Sequence, residues 1–480
     1  MSLNNNMEEI NEKTEKEKKE EEIKDNYIVD KQFGSQLFAY YLVDEYHIQT
    51  VGERIRDLYI YKDGIYVIGT NVIRAEIQRI LGSFANRHQK NEIIEKIKDL
   101  TTKDRKEFNV SKNLINLDNG VINIENSEIT EHDPKNLFFT KIPVVYKEGV
   151  DCPQIKKFLS EIVDENDVPI IQEWFGYCLY RSYFIKKAII FVGEGDTGKT
   201  TLLRLKERFI GKDNVSGISL QKMTSDKFAP VQLFNRHVNI YDDLSFKDIN
   251  DNGAFKIATG GGSITGEYKF GDQFQFENYA KLTFACNKIP DVKDSNDPAY
   301  FNRWIIIHFR NEIVDPDKFL IDKITTSEEL SGLLNFALDG LRRLLEKQKF
   351  SYDKAPHEIK REMQLSGSVI AQFAHNCLKE SIGRWISKTQ MHDAFIQYAR
   401  SKNLPVDTME NFGKKIRNYA GYILDGKKSE INPLTNKKVQ TTGWRNVEIK
   451  DGEDIDELNA TLGNEYYQQE EEKQQGLSPP

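Results

Sequence analysis

Apolar and polar positions in the first third of the chain follow two different periods. Residues 58–67 and 114–124 alternate apolar and polar side chains, and an Asp-Gly or Asn-Gly pair interrupts each stretch. Such pairs form tight hairpin turns, so each stretch predicts two antiparallel strands. Apolar residues at helical spacing precede the first hairpin. The pattern predicts a small α+β N-terminal domain over residues 28–150.

The next segment predicts helices and then buried strands. Residues 155–182 carry apolar side chains at helical spacing, which indicates a helical linker over residues 151–182. Four continuous apolar runs of strand length follow, as in the buried strands of a parallel-type sheet. These runs are residues 188–192, 238–241, 282–285 and 304–309. We therefore predict an α/β core over residues 183–312.

The remaining chain is predicted to be helical at first and mixed at its end. Residues 328–347 have strong helical periodicity and indicate a helical lid over residues 313–378. Within residues 379–450, helical stretches at 389–402 and 409–419 precede two strand-like stretches around a basic turn. Helices followed by such a hairpin suggest a winged-helix domain.

Composition and charge add two tails and a basic module to this organisation. The 480 residues correspond to about three folded units. Residues 1–27 and 451–480 are dominated by charged side chains and are predicted to be disordered tails. Residues 384–450 hold 13 Lys and Arg against six Asp and Glu, although the formal net charge of the whole chain is -8. The C-terminal module is therefore suited to an acidic partner.

Other features of the composition bear on the compartment. No apolar run of about 18 residues occurs, and the N-terminus is charged where a signal peptide would be apolar. The four cysteines lie far apart, which argues against a zinc cluster or a disulfide framework. We expect a cytoplasmic protein without a membrane partner.

A glycine-rich loop joins the first apolar run to a helix. Its sequence matches G-x-x-x-x-G-K-T, whose glycines let backbone N–H groups surround a phosphate at a helix N-terminus. Lys199 is predicted to contact the outer phosphates of ATP, and Thr200 to bind Mg²⁺. An ordinary glycine-rich turn is the alternative interpretation. The predicted nucleotide-binding residues are Gly193, Glu194, Gly195, Asp196, Thr197, Gly198, Lys199, Thr200 and Thr201.

Polar residues beside the later apolar runs are candidates to complete this site. Asp242 and Asp243 follow the second run: Asp242 is predicted to hold Mg²⁺ through water and Asp243 to act as general base. Such a pair also caps helices. Asn287 follows the third run and is predicted to orient the attacking water, unless it only forms a turn. Arg303 precedes the fourth run and is a candidate arginine finger, or else a surface residue.

The order of these motifs resembles superfamily 3 helicases, which are AAA+ ATPases of small replicons. The resemblance rests on the glycine-rich loop, the Asp pair, residues 259–271 (TGGGSITGEYKFG), residues 285–290 (ACNKIP) and Asn302-Arg303 before a strand. Upstream, the motifs NLDNG, HDP, FTKIP and WFG are similar to the helicase half of phage, plasmid and poxvirus-type primase-helicases. The resemblance covers residues 28–350 and implies an AAA+ P-loop core over residues 183–312.

The resemblance implies a DNA helicase that forms a ring, as a homo-hexamer, for a virus or plasmid replicon. Arg303 would act in the site of a neighbouring subunit. Residues 264–276 would form a hairpin in the central channel, where Lys269, with Tyr268 and Phe270 beside it, contacts single-stranded or forked DNA. An ordinary exposed hairpin is the alternative.

Several interpretations stay open. Lys414, Lys415 and Arg417 are candidate phosphate contacts of the predicted winged helix, although a solvated face is equally consistent. No polymerase-type acidic triad or primase-like zinc motif precedes the helicase region, so a separate primase or polymerase is an expected partner. The rival functions are a replication initiator or loader that uses ATP as an assembly switch, and a metabolite kinase.

Overall fold

The computed structural model describes residues 2–52, 56–244, 252–267, 269, 273–290, 297–352, 354–431 and 438–450. These residues belong to two compact units. Unit 1 takes its residues from Met1–Asp243, Asn252–Ala285 and Arg303–Asp353, and unit 2 from Leu244–Asp251, Cys286–Asn302 and Lys354–Pro480. The predicted tail at 451–480 lies outside the described residues.

The N-terminal part of unit 1 combines four helices with a four-stranded sheet. The helices are α1 (Ser2–Val29), α2 (Lys31–Tyr46), α3 (Thr70–Leu81) and α4 (Arg87–Thr101). The strands are β1 (Gln49–Val51), β2 (Asp57–Lys62), β3 (Ile65–Ile68) and β4 (Thr102–Lys103), in the order β3-β2-β1-β4. Asp63 and Gly64 have φ values of 50° and 86°, which a tight hairpin turn requires. The predicted first hairpin is confirmed.

Helix α1 differs from the disordered tail predicted over residues 1–27. Ile23 and Tyr27, one helical turn apart, are buried in one hydrophobic core with residues of α2 and α3. The hydroxyl of Tyr41 donates a hydrogen bond to the Glu20 carboxylate at 3.0 Å. Most residues of this segment are charged, so the apolar pair Ile23 and Tyr27 is not evident from composition. Burial of this pair explains why a helix forms in place of a solvated tail.

Three antiparallel strands and two helices connect this region to the core. The strands are β5 (Leu114–Leu117), β6 (Gly120–Asn123) and β7 (Ile129–Thr130), in the order β5-β6-β7. The helices are α5 (Pro153–Ile162) and α6 (Val168–Leu179). The second predicted hairpin and the helices predicted within residues 155–182 are therefore confirmed.

A five-stranded sheet forms the core of unit 1. Its strands are β8 (Ala188–Val192), β9 (Val215–Ser216), β10 (Val238–Tyr241), β13 (Lys281–Cys286) and β14 (Trp304–His308), in the order β14-β8-β13-β10-β9. The pairs β14–β8, β13–β10 and β10–β9 are parallel. All four predicted apolar strands are confirmed, and β9 was not predicted.

Further elements lie between these strands. An antiparallel hairpin consists of β11 (Ser263–Glu267) and β12 (Gln273–Glu277). The helices are α7 (Lys199–Ile210), α8 (Leu220–Ser225), α9 (Gly253–Ala258), α10 (Pro298–Phe301), which falls in unit 2, and α11 (Leu320–Lys323). The helix predicted after the glycine-rich loop and the hairpin predicted over residues 264–276 are both present.

Helix α12 (Ser327–Lys347) packs closely along α6. A Cβ atom added at Gly176 would lie 2.2 Å from the Ala337 carbonyl oxygen, so only glycine fits this crossing. Glu173 is fully buried and accepts a hydrogen bond from Nε of Arg343 at 2.7 Å. The helix predicted at residues 328–347 is confirmed, and it shares the core of the linker helices.

The C-terminal part of unit 2 has a mixed topology. Its elements are α13 (Pro356–Gly367), α14 (Val369–Cys377), β15 (Leu378–Ser387), α15 (Lys388–Ser401), α16 (Met409–Tyr419), β16 (Leu424–Ile431) and β17 (Lys438–Ile449). The antiparallel sheet has the order β15-β17-β16. Phe373, Phe412 and Trp444 belong to one core that joins helices and sheet. The two predicted helices are confirmed, and β15 was not predicted.

The irregularity of β15 explains why alternation did not reveal it. Its pairing with β17 shifts register between Glu380 and Trp385, which is a β-bulge or a similar irregularity. Apolar residues on either side of the shift therefore lose the period of two.

Among the helices of the described chain, none has the length and apolar character needed to cross a bilayer.

Candidate nucleotide site

The glycine-rich loop connects the carboxyl end of β8 to the first turn of α7. Asp196 and Gly198 have φ values of 56° and 88°, which lie in the left-handed region. A Cβ atom at Gly198 would lie 2.6 Å from Cγ2 of Ile162, so both conformation and space require glycine there. A Cβ atom added at Gly195, by contrast, would have no atom of the described chain within 4 Å apart from those of its chain neighbours. The loop is therefore packed on one side and open on the other.

Lys199, the first residue of α7, is buried with its amine inside the loop. Nζ donates hydrogen bonds to the carbonyl oxygens of Gly193 at 2.8 Å and Glu194 at 2.5 Å, and lies 3.1 Å from Oγ1 of Thr197. The side chain thus brings its positive charge to the centre of a turn whose backbone surrounds it. The contact of this amine with the phosphates of ATP stays a prediction.

Thr200 and Asp242 meet although they belong to different elements. The Thr200 hydroxyl donates a hydrogen bond to Oδ2 of Asp242 at 2.8 Å, and the backbone N–H of Asp243 donates to Oδ1 of the same carboxylate at 2.9 Å. Asp243 has a φ of 53°, so the chain turns sharply after β10. Hydroxyl and carboxylate oxygens are ligands that suit Mg²⁺, so the pair fits the predicted metal site.

Arg303 and its own glycine-rich loop lie at opposite ends of strand β8. Its carbonyl oxygen accepts a hydrogen bond at 2.6 Å from the N–H of Ala188, the first residue of β8. The loop begins after the last residue of β8, so the strand separates the two features by roughly 16 Å at about 3.3 Å per residue. The structure does not bring Arg303 together with Lys199 of the same chain.

The lysines before β8 lie at the same edge as Arg303. Lys186 and Lys187 directly precede β8, which begins at Ala188. Burial lowers the pKa of Lys187 to about 8, and Nζ of Lys187 lies 5.9 Å from the ring centroid of Tyr352. Neither lysine follows the carboxyl end of β8, so neither is placed to sense a phosphate bound by its own loop.

Asn287 is an exposed residue and the first one after β13. It belongs to unit 2, whereas the loop residues belong to unit 1. Its predicted role in orienting water therefore rests on its position after a core strand.

The predicted hairpin is present, and part of its tip is described. Lys269 is exposed between β11 and β12, while the predicted contacts Tyr268 and Phe270 lie outside the described residues. Glu267, at the end of β11, forms an ion pair with Lys227 at 3.2 Å. The structure thus places one of the three predicted tip residues at the end of a paired arm.

The cationic residues of α16 differ in how they are engaged. Lys414 is exposed and donates to the Glu410 carboxylate at 2.6 Å, one turn away on the same helix. Arg417 pairs with Asp425 at 2.8 Å, next to the sheet. Lys415 is half-buried. Both side chains are exposed, but Arg417 pairs with a residue of β16, whereas the pair of Lys414 lies within α16.

Two buried lysines of the core were not predicted. Burial lowers the pKa of Lys206 to about 8 and that of Lys281 to about 7. Nζ of Lys206 lies 4.9 Å from the ring centroid of Phe175, and Nζ of Lys281 donates to the carbonyl oxygens of Tyr180 and Tyr279 at 2.7 Å each. Lysine is almost always exposed, so sequence offered no signal for these sites.

Parts of the chain are similar to known proteins. Residues 191–303 match a family of unknown function, DUF5906, and residues 7–164 match a family described as D5 N terminal like. An A form apo structure of the C-terminal region of NrS-1 is 12% identical, over 85% of this chain and 98% of that chain, with a TM-score of 0.48. Another apo structure of that region is 12% identical, over 86% and 99%, with a TM-score of 0.48.

Proposed function

We propose that the chain is an ATP-driven DNA helicase of the superfamily 3 type, which works as a homo-hexameric ring in replication of a virus or plasmid. The observation that carries the proposal is the Thr200–Asp242 hydrogen bond beside the buried amine of Lys199. It joins a phosphate-binding loop to a carboxylate at the end of a neighbouring core strand. The match of residues 7–164 to a D5 N terminal-like family supports the resemblance to primase-helicases.

An AAA+ core is the fold proposed for the sheet. Strand β8, which carries the glycine-rich loop, lies inside the sheet between β14 and β13. Beyond β13 lies β10, which ends at the Asp pair, and on the other side lies β14, which begins after Arg303. The glycine-rich loop and the Asp pair each follow a strand, so the proposed nucleotide site lies at the carboxyl ends of β8 and β10. Arg303 precedes a strand and lies at the opposite end of the parallel strands.

The proposed reaction is hydrolysis of ATP. A water oxygen attacks the γ-phosphorus, the bond from that phosphorus to the β–γ bridging oxygen breaks, and the Asp243 carboxylate accepts the proton of the water. Lys199 neutralises charge on the phosphate oxygens, and Asn287 orients the water. Thr200 and Asp242 would hold Mg²⁺, which would supply further charge neutralisation at these oxygens when bound.

The position of Arg303 favours a site shared between subunits. An arginine finger stabilises negative charge on the transferred phosphoryl group and must reach it directly. Because Arg303 and the loop lie at opposite ends of β8, Arg303 is proposed to enter the site of a neighbouring copy. Head-to-tail contacts of this kind close into a ring when the rotation between neighbouring subunits closes.

DNA contact is assigned to the hairpin and to the C-terminal module. Lys269 would follow the phosphate backbone in the channel, with Tyr268 and Phe270 beside it. Elements α14 to β17 have the order helix, strand, two helices and two strands, which supports a winged helix. Lys414 and Lys415 on α16 are its proposed phosphate contacts, with Arg417 as a weaker candidate.

The same C-terminal topology supports a second candidate, a replication initiator or loader that binds DNA and uses ATP as an assembly switch. Either protein would work in the host cytoplasm, with a separate primase or polymerase as partner. The two candidates differ in strand displacement, which only the helicase performs.

Steady-state ATP hydrolysis with and without single-stranded DNA tests the proposed activity. We expect Mg²⁺-dependent hydrolysis that DNA stimulates and that Lys199→Ala abolishes. The exposed Lys212, which follows α7, gives the matched control Lys212→Ala, with wild-type rates expected. Hydrolysis that DNA does not change, or that requires a metabolite acceptor, would favour a kinase over either DNA-linked function.

A further inference from the structure

Three phenylalanines support the base of the β11–β12 hairpin. Phe234 follows a short 3-10 turn at Pro230–Leu233, and its ring centroid lies 5.0 Å from that of Phe274 and 5.3 Å from that of Phe276, both in β12. A Cβ atom at Gly266 of β11 would lie 2.9 Å from Cγ2 of Val231. The hairpin arm is therefore packed against this segment of the core.

An arginine from the N-terminal region completes this cluster. The guanidinium carbon of Arg105 lies 5.2 Å from the ring centroid of Phe234 and 4.9 Å from that of Phe274. Both distances lie within the roughly 6 Å range of a cation–π contact. Guanidinium is more weakly hydrated than ammonium and stacks on aromatic faces, so arginine suits this position better than lysine does.

The backbone that carries Arg105 is itself held in place. Arg105 begins a 3-10 turn, Arg105–Glu107, for which Asp104 is the capping residue. The Asp104 carboxylate accepts from the N–H of Lys106 at 2.9 Å, and the Glu107 carboxylate accepts from the N–H of Asp104 at 2.9 Å. The cap limits the freedom of the turn and keeps the guanidinium at the aromatic rings.

We infer that Arg105 is a positioning residue for the hairpin: its contact with Phe234 and Phe274 clamps β11 and β12 to the N-terminal region and so sets where Lys269 meets DNA. The inference rests on the proposed function for its DNA part. Arg105 contacts the hairpin through Phe274 in β12, whereas Lys269 lies beyond the ends of both strands. Arg105 thus acts on DNA only through the hairpin.

Hydrogen exchange in the full chain tests the clamp without any DNA. Arg105→Ala should speed amide exchange in residues 263–267 and 273–277 by about two- to tenfold, the factor that loss of one cation–π contact gives. Arg105→Lys should have a smaller effect, because it keeps the charge and loses the planar stack. Lys106→Ala, which removes an exposed cation from the same turn, should leave the exchange unchanged.

A double-mutant cycle shows whether the aromatic contact is responsible. Phe274→Leu should speed exchange at these amides, and adding Arg105→Ala should then have a smaller effect than it has in the wild type, because the Arg105–Phe274 contact is already lost while the Arg105–Phe234 contact remains. Additive effects would overturn the inference. Equal exchange in wild type, Arg105→Ala and Lys106→Ala would also overturn it.

The proposed effect of Arg105 on the contact between Lys269 and DNA is measured separately. The concentration of single-stranded oligonucleotide that half-maximally stimulates ATP hydrolysis should rise about two- to tenfold in Arg105→Ala, while the KM for ATP stays unchanged. An unchanged DNA requirement despite faster exchange would contradict a positioning role. If DNA does not stimulate even the wild type, the proposed function fails, and the exchange measurements still decide whether the clamp exists.

Discussion

The hydroxyl of Thr200 donates a hydrogen bond to the carboxylate of Asp242 at 2.8 Å, and this contact joins residues that are 42 positions apart in the chain. The parallel sheet explains the contact: Thr200 lies in the first turn of the helix that follows β8, and Asp242 directly follows β10. Polar groups after parallel strands gather at one edge of the sheet. A hydroxyl oxygen and a carboxylate oxygen are thereby placed next to the glycine-rich loop.

Asp242→Asn should impair the use of Mg²⁺ without affecting folding, because Asp242 is exposed. We expect the Mg²⁺ concentration for half-maximal ATP hydrolysis to rise by about 10- to 100-fold, the range for disturbed metal sites. Asp213→Asn, at another exposed residue, is the control. An unchanged Mg²⁺ requirement in Asp242→Asn would exclude this carboxylate as a ligand.

Gly198→Ala should destabilise the folded loop before any nucleotide binds. The new methyl group would meet Ile162 in a backbone with a φ of 88°, and a strained residue of this kind costs about 1–3 kcal/mol. Gly195→Ala has open space and should change the free energy of unfolding by less than about 0.5 kcal/mol. Urea unfolding without nucleotide measures both values, and equal stability of the two variants would refute the packing argument.

Most core strands could be predicted from sequence because buried parallel strands are apolar on both faces. The runs that became β8, β10, β13 and β14 are of this kind. Strand β9 has only two residues, Val215–Ser216, and is too short to give a pattern. The irregular strand β15 has no regular alternation of apolar and polar residues. The few apolar residues of α1 stand among many charged ones, so they give no clear helical pattern.

The candidate site could be predicted in part for the same reason. Lys199, Thr200 and Asp242 sit where a strand or loop ends, so motif spacing indicates that they meet. The separation of Arg303 from its own loop depends on strand direction and pairing, which spacing alone does not provide. The contact of Arg105 with Phe274 joins residues far apart in sequence, and no local sequence pattern predicts such a contact.

Lys281 should make stability depend on pH. Burial lowers its pKa to about 7, so between this value and its ordinary pKa of 10.5 the unfolded chain binds a proton that the folded chain does not. The free energy of unfolding therefore rises with pH across this window, by up to about 1.4 kcal/mol per pH unit from this group. Below pH 7 the full cost of charging the buried amine applies.

Lys281→Met removes this titration and should flatten the rise in unfolding free energy between pH 7 and pH 10. Lys212→Met, at an exposed lysine, should keep the wild-type slope. Denaturant unfolding at several pH values measures the difference. An identical slope in wild type and Lys281→Met would show that the amine stays charged in the folded protein.

Mixed oligomers test the shared site. Arg303→Ala and Asp243→Ala should each abolish ATP hydrolysis while leaving assembly intact. An equal mixture that exchanges subunits should regain activity at up to about a quarter of its sites, because random neighbours in a ring combine an intact Arg303 with an intact Asp243 that often. No recovery in any mixture would count against an arginine supplied by the neighbour.

Unwinding of a forked DNA duplex is the most direct test of an ATP-driven helicase. With ATP and Mg²⁺, the wild-type protein should separate the two strands, and Lys199→Ala should leave the duplex intact while Lys212→Ala unwinds it at the wild-type rate. ATP hydrolysis without strand separation by the wild type would contradict the helicase assignment and leave an ATP-switched initiator as the function.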